Sequence, residues 1–283
     1  MASTGSRLTA AILALFATLA WHGIAAAFDV VHFETAVLPP LDDQHGQTAQ
    51  GGFPIWGHLS HPDDEGRFPA IVLMHGCGGL QQAHFTWADR LNRLGYITLI
   101  VDSFRPRSVV RVCTSGARPT APAQRVLDAH GALAYLRDLP SVDPEHIGII
   151  GWSHGGIAAL EAVNAKGISG RFRHRFRAAA GFYPYCIADR DFDLPVLILI
   201  GDADDWTPPG LCQRLAERNH ASGQLELVIY PGAFHGFDNA GFRRGFSVRG
   251  AGGASHRLQY DADARRDAAQ RLGDFFAEHL AGN

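Results

Sequence analysis

Apolar and polar positions along this chain alternate between two periods. Short runs of apolar residues at 30–33, 53–57, 70–75, 97–101, 147–150, 178–182, 196–200 and 225–230 predict extended segments. The run from Ala70 to His75 is continuously apolar up to its last residue, as expected of a strand covered on both faces. Between the runs lie stretches of helical period. Val126, Ala129, Leu133 and Leu136 recur at three-and-four spacing after Pro122, a favourable first-turn residue. Ala264, Ala268, Leu272, Phe276 and Leu280 do the same near the end of the chain, with Asp261 placed to cap them. Such alternation predicts an α/β protein with a mostly parallel sheet and helices on both faces. In sheets of that kind the chemistry gathers at the carboxyl ends of the strands. The loops after His75, Ile150, Ile200 and Tyr230 are therefore the ones to read for function.

The opening of the chain follows a different pattern. Arg7 is its only charged residue before Asp29, residues 8–21 are almost continuously apolar, and Ala25-Ala26-Ala27 offers a small-x-small cleavage site. This reads as a signal peptide over 1–27, followed by a single domain over 28–283 in the periplasm or outside the cell. The apolar stretch is shorter than a comfortable membrane span, so no membrane attachment is expected after cleavage. The whole chain carries a formal charge of −3, and loss of Arg7 makes it −4. That balance argues against a nucleic-acid partner, even though Arg171, Arg173, Arg175 and Arg177 alternate with aromatic residues and histidine. Four cysteines remain: Cys77, Cys113, Cys186 and Cys212. An oxidising compartment permits disulfides, and both one bridge and two bridges fit the count. No C-x-x-C spacing occurs, which disfavours a zinc knuckle or a dithiol redox centre.

Gly151-Trp152-Ser153-His154-Gly155 carries the sharpest chemical signal. It follows the apolar run 147–150 and precedes an apolar helical stretch, so a strand, a glycine-flanked serine and a helix come in succession. A serine hydroxyl needs a base to take its proton, an acid to orient the base, and donors for the oxyanion. In this architecture the acid and then the histidine follow the serine in the chain. The run 196–200 leads into Gly201-Asp202-Ala203-Asp204-Asp205-Trp206-Thr207-Pro208, and the run 225–230 leads into Pro231-Gly232-Ala233-Phe234-His235. Ser153, Asp204 and His235 are thus the predicted triad. Asp205 is the second choice for the acid, and Asp202 is expected to brace its turn. His220 and His279 fall in helical segments and His256 in a glycine-rich loop, where they are expected to be surface residues.

His75-Gly76-Cys77-Gly78-Gly79 has the composition of an oxyanion loop, with the backbone N–H groups of Cys77 and His154 as the candidate donors. Trp152 is expected to pack under the elbow. Together with Trp206, Arg105 and Arg107 it is also a candidate for substrate contact. Arg111 belongs to the same arginine-bearing loop, which reads chiefly as solvated. The glycine- and arginine-rich stretch 241–255 is a candidate cover for the site.

Several motifs together resemble the dienelactone hydrolase family of the α/β-hydrolases. They are His75-Gly76-Cys77-Gly78-Gly79, Asp102-Ser103-Phe104, the stretch from Gly148 to Gly156, Phe182-Tyr183-Pro184, the stretch from Gly201 to Pro208, and the stretch from Tyr230 to Asp238. The resemblance runs from about Phe53 to the C-terminus. It implies an eight-stranded sheet, little or no cap domain, no cofactor, and Ser153, Asp204 and His235 as the triad. The enzymes that gave the family its name use cysteine as nucleophile, where this chain has Ser153. The expected activity is therefore hydrolysis of a small or medium carboxylic ester or lactone through an acyl-enzyme, with no metal. Peptidase or acyltransferase activity on the same scaffold is the alternative among enzymes. A catalytically silent envelope binding protein is the alternative outside them.

Overall fold

The computed structural model describes residues 28–38, 52–114, 122–187 and 189–281, so the predicted signal segment 1–27 lies outside the described residues. Eight strands form one sheet in the order β1 (Asp29–Glu34), β2 (Pro54–Ser60), β4 (Ile97–Asp102), β3 (Phe68–Met74), β5 (Val142–Trp152), β6 (Ala178–Phe182), β7 (Val196–Gly201) and β8 (Leu225–Tyr230). β1 and β2 pair antiparallel, as do β2 and β4, and every pair from β4 to β8 is parallel. This is the predicted α/β fold with a mostly parallel sheet. The helices are α1 (Gln82–Asn92), α2 (Pro122–Arg137), α3 (His154–Glu161), α4 (Pro209–Arg218) and α5 (Ala262–Leu280).

The apolar runs become the inner strands because helices cover both of their faces. All residues of β4, β6 and β7 are buried, whereas the edge strand β8 is only half-buried over most of its length. Val126, Ala129, Leu133 and Leu136 turn one stripe of α2 into the core. α5 buries Ala264, Ala268, Leu272, Phe276 and Leu280, and the Asp261 side chain accepts from the N–H groups of Asp263 and Ala264 at its start. Capping by aspartate satisfies donors that the helix itself leaves open. Among the described residues, no helix is long and apolar enough to cross a membrane.

Three local features go beyond the sequence pattern. The stretch 241–255 is not a plain loop: β9 (Phe246–Arg249) and β10 (Ser255–Leu258) pair antiparallel into a hairpin. His256 belongs to β10 and stacks on Trp206, with ring centroids 4.9 Å apart and planes 10° apart, so it is not the loop surface residue expected. All four cysteines are bridged, as Cys77–Cys113 and Cys186–Cys212.

Candidate active site

β5 ends at Trp152 and α3 begins at His154, which leaves Ser153 alone to reverse the chain. Its φ of 51° and ψ of −116° fall in a region that side chains rarely occupy. The flanking glycines have a steric cause. A Cβ on Gly151 would stand 2.1 Å from the Gly155 carbonyl oxygen, and one on Gly155 would stand 2.0 Å from that of Met74. Only glycine lets strand, turn and helix approach this closely. The strained turn lifts the serine hydroxyl toward the carboxyl edge of the sheet.

The loops after β7 and β8 meet it there. Ser153 Oγ lies 3.0 Å from His235 Nε2, and His235 Nδ1 lies 2.8 Å from Asp204 Oδ2. With Nδ1–H donating to the carboxylate, Nε2 keeps its lone pair for the serine proton. The structure therefore brings Ser153, His235 and Asp204 into one hydrogen-bonded line. Asp204 Oδ1 accepts the backbone N–H groups of Trp206 (2.9 Å) and Thr207 (2.8 Å). Burial by itself would favour the neutral acid, but His235 and the Thr207 hydrogen bonds outweigh it and hold Asp204 below the usual carboxylate range. Asp205 is exposed and accepts from the N–H of Arg257 on β10. Asp202 accepts from the Gly232 N–H at 2.6 Å, bracing its turn.

The glycine-rich loop after β3 approaches from the opposite side. His75 is wholly buried; its Nδ1–H donates to the Gly76 carbonyl at 2.7 Å and its Nε2 accepts the Ser103 N–H at 3.3 Å. Burial drives its pKa well below the ordinary histidine value, so the ring is a neutral brace. Gly76 and Cys77 line a cavity of about 270 Å³ together with Ser153 and His235. Phe242, Phe246, Val248 and Leu258 form one apolar wall, which places the β9–β10 hairpin over the site. The His154 imidazole faces away from this line: it bonds Arg125.

The candidate contact residues divide. Trp152 and Trp206 both line the cavity, and Trp152 is also buried beneath the elbow. Arg105 and Arg107 do not line it. Arg107 donates to both carboxylate oxygens of Asp128 (2.7 and 3.1 Å), and Arg105 reaches outward beside Asp102. Of the three arginines on that loop, Arg111 is the one at the cavity. Among the described residues, no group of three or more histidine, cysteine or acidic side chains is arranged to hold a metal ion.

Two residues with a place in this site carried no assigned role in the sequence reading. Thr207 Oγ1 lies 2.8 Å from Asp204 Oδ2, 3.1 Å from the Tyr183 carbonyl and 3.2 Å from His235 Nδ1. Asp238, three residues past His235, accepts from Trp87 Nε1 (2.7 Å), Trp152 Nε1 (2.9 Å) and the Tyr183 hydroxyl (2.5 Å). The available signal was slight: a threonine one turn past an acid, and a carboxylate in an otherwise apolar stretch.

A mostly parallel eight-stranded sheet with a glycine-flanked serine after its fifth strand is the architecture of a carboxylic-ester-hydrolase-like enzyme. The chain belongs to the dienelactone hydrolase family, whose model matches residues 55–280. A "probable 2-oxo-3-(5-oxofuran-2-ylidene)propanoate lactonase" from Bradyrhizobium sp. is 27% identical over 200 residues, covering 64% of this chain and 77% of the relative. Among solved structures, esterase 2 of Thermogutta terrifontis, phosphorylated by paraoxon, superposes with a TM-score of 0.61 at 22% identity, covering 89% of this chain and 96% of that one. A dienelactone hydrolase-like promiscuous phosphotriesterase from metagenomic libraries gives a TM-score of 0.66 at 18% identity, covering 90% and 100%. At these identities the two structures speak for the fold.

Proposed function

We propose that this protein hydrolyses a small or medium carboxylic ester or lactone through an acyl-enzyme on Ser153. The observation that carries the reading is the line from Ser153 Oγ through His235 to Asp204, opening on the cavity. Ser153 Oγ attacks the carbonyl carbon while His235 Nε2 takes its proton. The carbonyl oxygen becomes an oxyanion facing the backbone N–H groups of Cys77 and His154. Collapse expels the alcohol, which takes the proton from His235. Water then attacks the acyl carbon, gives a proton to His235, and releases the acid and a restored Ser153. Asp204 orients His235 and stabilises its imidazolium throughout.

The Bradyrhizobium relative is named as a lactonase, which supports including lactones. Trp206, Phe246 and Leu258 along the cavity favour an apolar acyl or alcohol group. Export to an oxidising compartment accords with the two disulfides. Its test is the mass of the mature protein, which export reduces by the 1–27 segment.

The activity is tested with a fluorophosphonate probe and nitrophenyl esters of increasing chain length. Wild-type protein is expected to label stoichiometrically and turn over, and Ser153→Ala to do neither. A folded wild type that resists the probe would refute the hydrolase, and equal labelling of Ser153→Ala would refute the nucleophile.

A further inference from the structure

Arg125 on α2 is wholly buried, and its hydrogen bonds among the described residues go to uncharged acceptors. Nη2 donates to the His75 carbonyl at 2.7 Å, and Nη1 donates to His154 Nδ1 at 2.8 Å. The guanidinium also lies over the Phe104 ring, 5.1 Å from its centroid. Burial lowers its pKa to about 10, with Asp128 and Asp102 acting on it through space, so it stays a cation at neutral pH. Among the described residues its Nε has no hydrogen-bond partner. Burying such a charge against a carbonyl and an imidazole is expensive compared with an apolar side chain of the same volume. A purely structural pin between α2 and the sheet does not require that cost.

The two acceptors show what the cation is placed to do. His75 directly precedes Gly76-Cys77, and the second acceptor is the side chain of His154, whose own amide starts α3. These are the two segments that carry the candidate oxyanion donors. They already press together, since a Cβ on Gly155 would lie 2.4 Å from the same His75 oxygen that Arg125 holds. Because Arg125 donates to His154 Nδ1, the His154 proton sits on Nε2. Burial and the Arg125 charge push that ring's pKa down to about 3, so it remains a neutral acceptor.

We infer that Arg125 is a positioning residue of the oxyanion site: it ties the His75 and His154 segments at one spacing and sets a buried positive charge behind the developing oxyanion. The inference rests on the serine-hydrolase reading above. Charge on the carbonyl oxygen exists only in the tetrahedral state, so a device tuned to it acts on kcat and leaves ground-state binding alone. A buried cation is effective there because little water screens it.

The test uses p-nitrophenyl acetate turnover, with active sites counted by exhaustive fluorophosphonate labelling so that unfolded protein does not enter the rate. Inhibition by phenylboronic acid, which forms a tetrahedral adduct on serine, is read beside it. Arg125→Met is expected to lower kcat roughly 30- to 100-fold, short of the roughly 100- to 1000-fold for loss of a direct oxyanion donor because Arg125 acts through its two acceptors, with KM within about twofold. Boronate inhibition should weaken in parallel. Arg125→Lys, which keeps the charge, should recover part of both losses, and His154→Ala should show the same split in milder form. Wild-type kcat in Arg125→Met overturns the inference, as does a loss that Lys does not relieve and that leaves boronate inhibition unchanged. If Arg125→Met does not fold, unchanged kcat and boronate inhibition in both Arg125→Lys and His154→Ala overturn it equally. A folded wild type that fails to label overturns the hydrolase reading and takes this inference with it, whereas normal labelling confines any failure to Arg125.

Discussion

The indole N–H of Trp152, the residue immediately before Ser153, donates to Asp238 Oδ2 at 2.9 Å. The elbow is thereby tied to the segment that follows His235. The same carboxylate receives Trp87 from α1 and Tyr183 from the end of β6, so one buried acid collects donors from three elements in all. Tyr183 is itself held at a φ of 39°, and its ring centroid lies 4.5 Å from that of His235.

Replacing Asp238 by asparagine exchanges one acceptor oxygen for a donor in a place that supplies only donors. At least one buried N–H or O–H then loses its partner, at a cost of about 1–3 kcal/mol for each. Asp238→Asn is expected to be destabilised by that order in a urea melt, and Asp238→Ala by more. Because the carboxylate braces both the elbow and His235, kcat should fall as well. An Asn variant with wild-type stability would show that the three donors find other partners.

Thr207 offers a milder perturbation. Its hydroxyl spans Asp204 and the Tyr183 carbonyl, and Thr207 itself does not line the cavity. Thr207→Val keeps the shape and removes the hydroxyl. Loss of one hydrogen bond to a charged group is worth about 1.5–3 kcal/mol, so kcat is expected to drop about 10- to 100-fold with little change in KM. A rise in KM at constant kcat would assign Thr207 to the pocket wall instead of to Asp204.

These two residues also mark what was legible in the sequence. The strands announced themselves because a doubly covered strand must be apolar throughout, as β4 and β7 are. Ser153, Asp204 and His235, which the structure brings into one hydrogen-bonded line, were candidates because strand ends and chain order narrow the choice, even among fifteen histidines. Nothing local distinguishes Asp238 from a loop acid; its function in the fold is set by Trp87, 151 positions away. Arg105 and Arg107 had a suitable position after β4, but the partner that removes Arg107 from the cavity is Asp128 on α2. The hairpin was missed because glycine and arginine dominate 241–255, so the alternation of β9 and β10 is short and weak. Its pairing to the site through His256 and Asp205 is likewise long-range.

The two disulfides differ in accessibility. Cys186 and Cys212 are buried, whereas Cys77 and Cys113 are half-exposed and both line the cavity. Mild reduction followed by alkylation should therefore modify Cys77 and Cys113 first, as read by mass spectrometry. The bridge closes a sequence separation of 36 residues, which a chain-entropy estimate values at about 4 kcal/mol. Cys113→Ser should lose stability of that order and also activity, because among the described residues the Val112 N–H on the Cys77 carbonyl is then what holds Cys77 to this segment. Retained activity in a stable Cys113→Ser protein would free the loop geometry from the bridge.

The hairpin sets the far wall of the cavity. Phe246 is 44% exposed while also lining it, so truncation opens the mouth without emptying the core. Phe246→Ala is expected to raise kcat/KM for octanoyl relative to acetyl nitrophenyl esters by about 5- to 10-fold, the low end of the roughly 1–3 kcal/mol that one methylene in an apolar pocket is worth, because the site is half-open. An unchanged ratio across chain lengths would place the acyl group elsewhere.

His130 predicts the acid limb of stability. The ring is buried on α2, stacked on Phe172 with centroids 4.1 Å apart and planes 22° apart. Burial drives its pKa down to about 3, against the weaker opposing effect of a hydrogen bond to the Ala162 backbone. Between the ordinary histidine value of about 6.5 and that folded value, the unfolded chain binds a proton that the folded chain refuses. Stability must therefore rise with pH across this window and fall as the solution is acidified through it. The slope from this one group is about 1.4 kcal/mol per pH unit. His84, lowered to about 4, adds to it in the same direction. Phenylalanine fits the stacked geometry and does not titrate, so His130→Phe should flatten the dependence of the urea midpoint between pH 6 and 4 while leaving ester turnover at pH 7 intact. A variant whose acid limb keeps the wild-type slope would show that His130 accepts its proton without leaving the folded state.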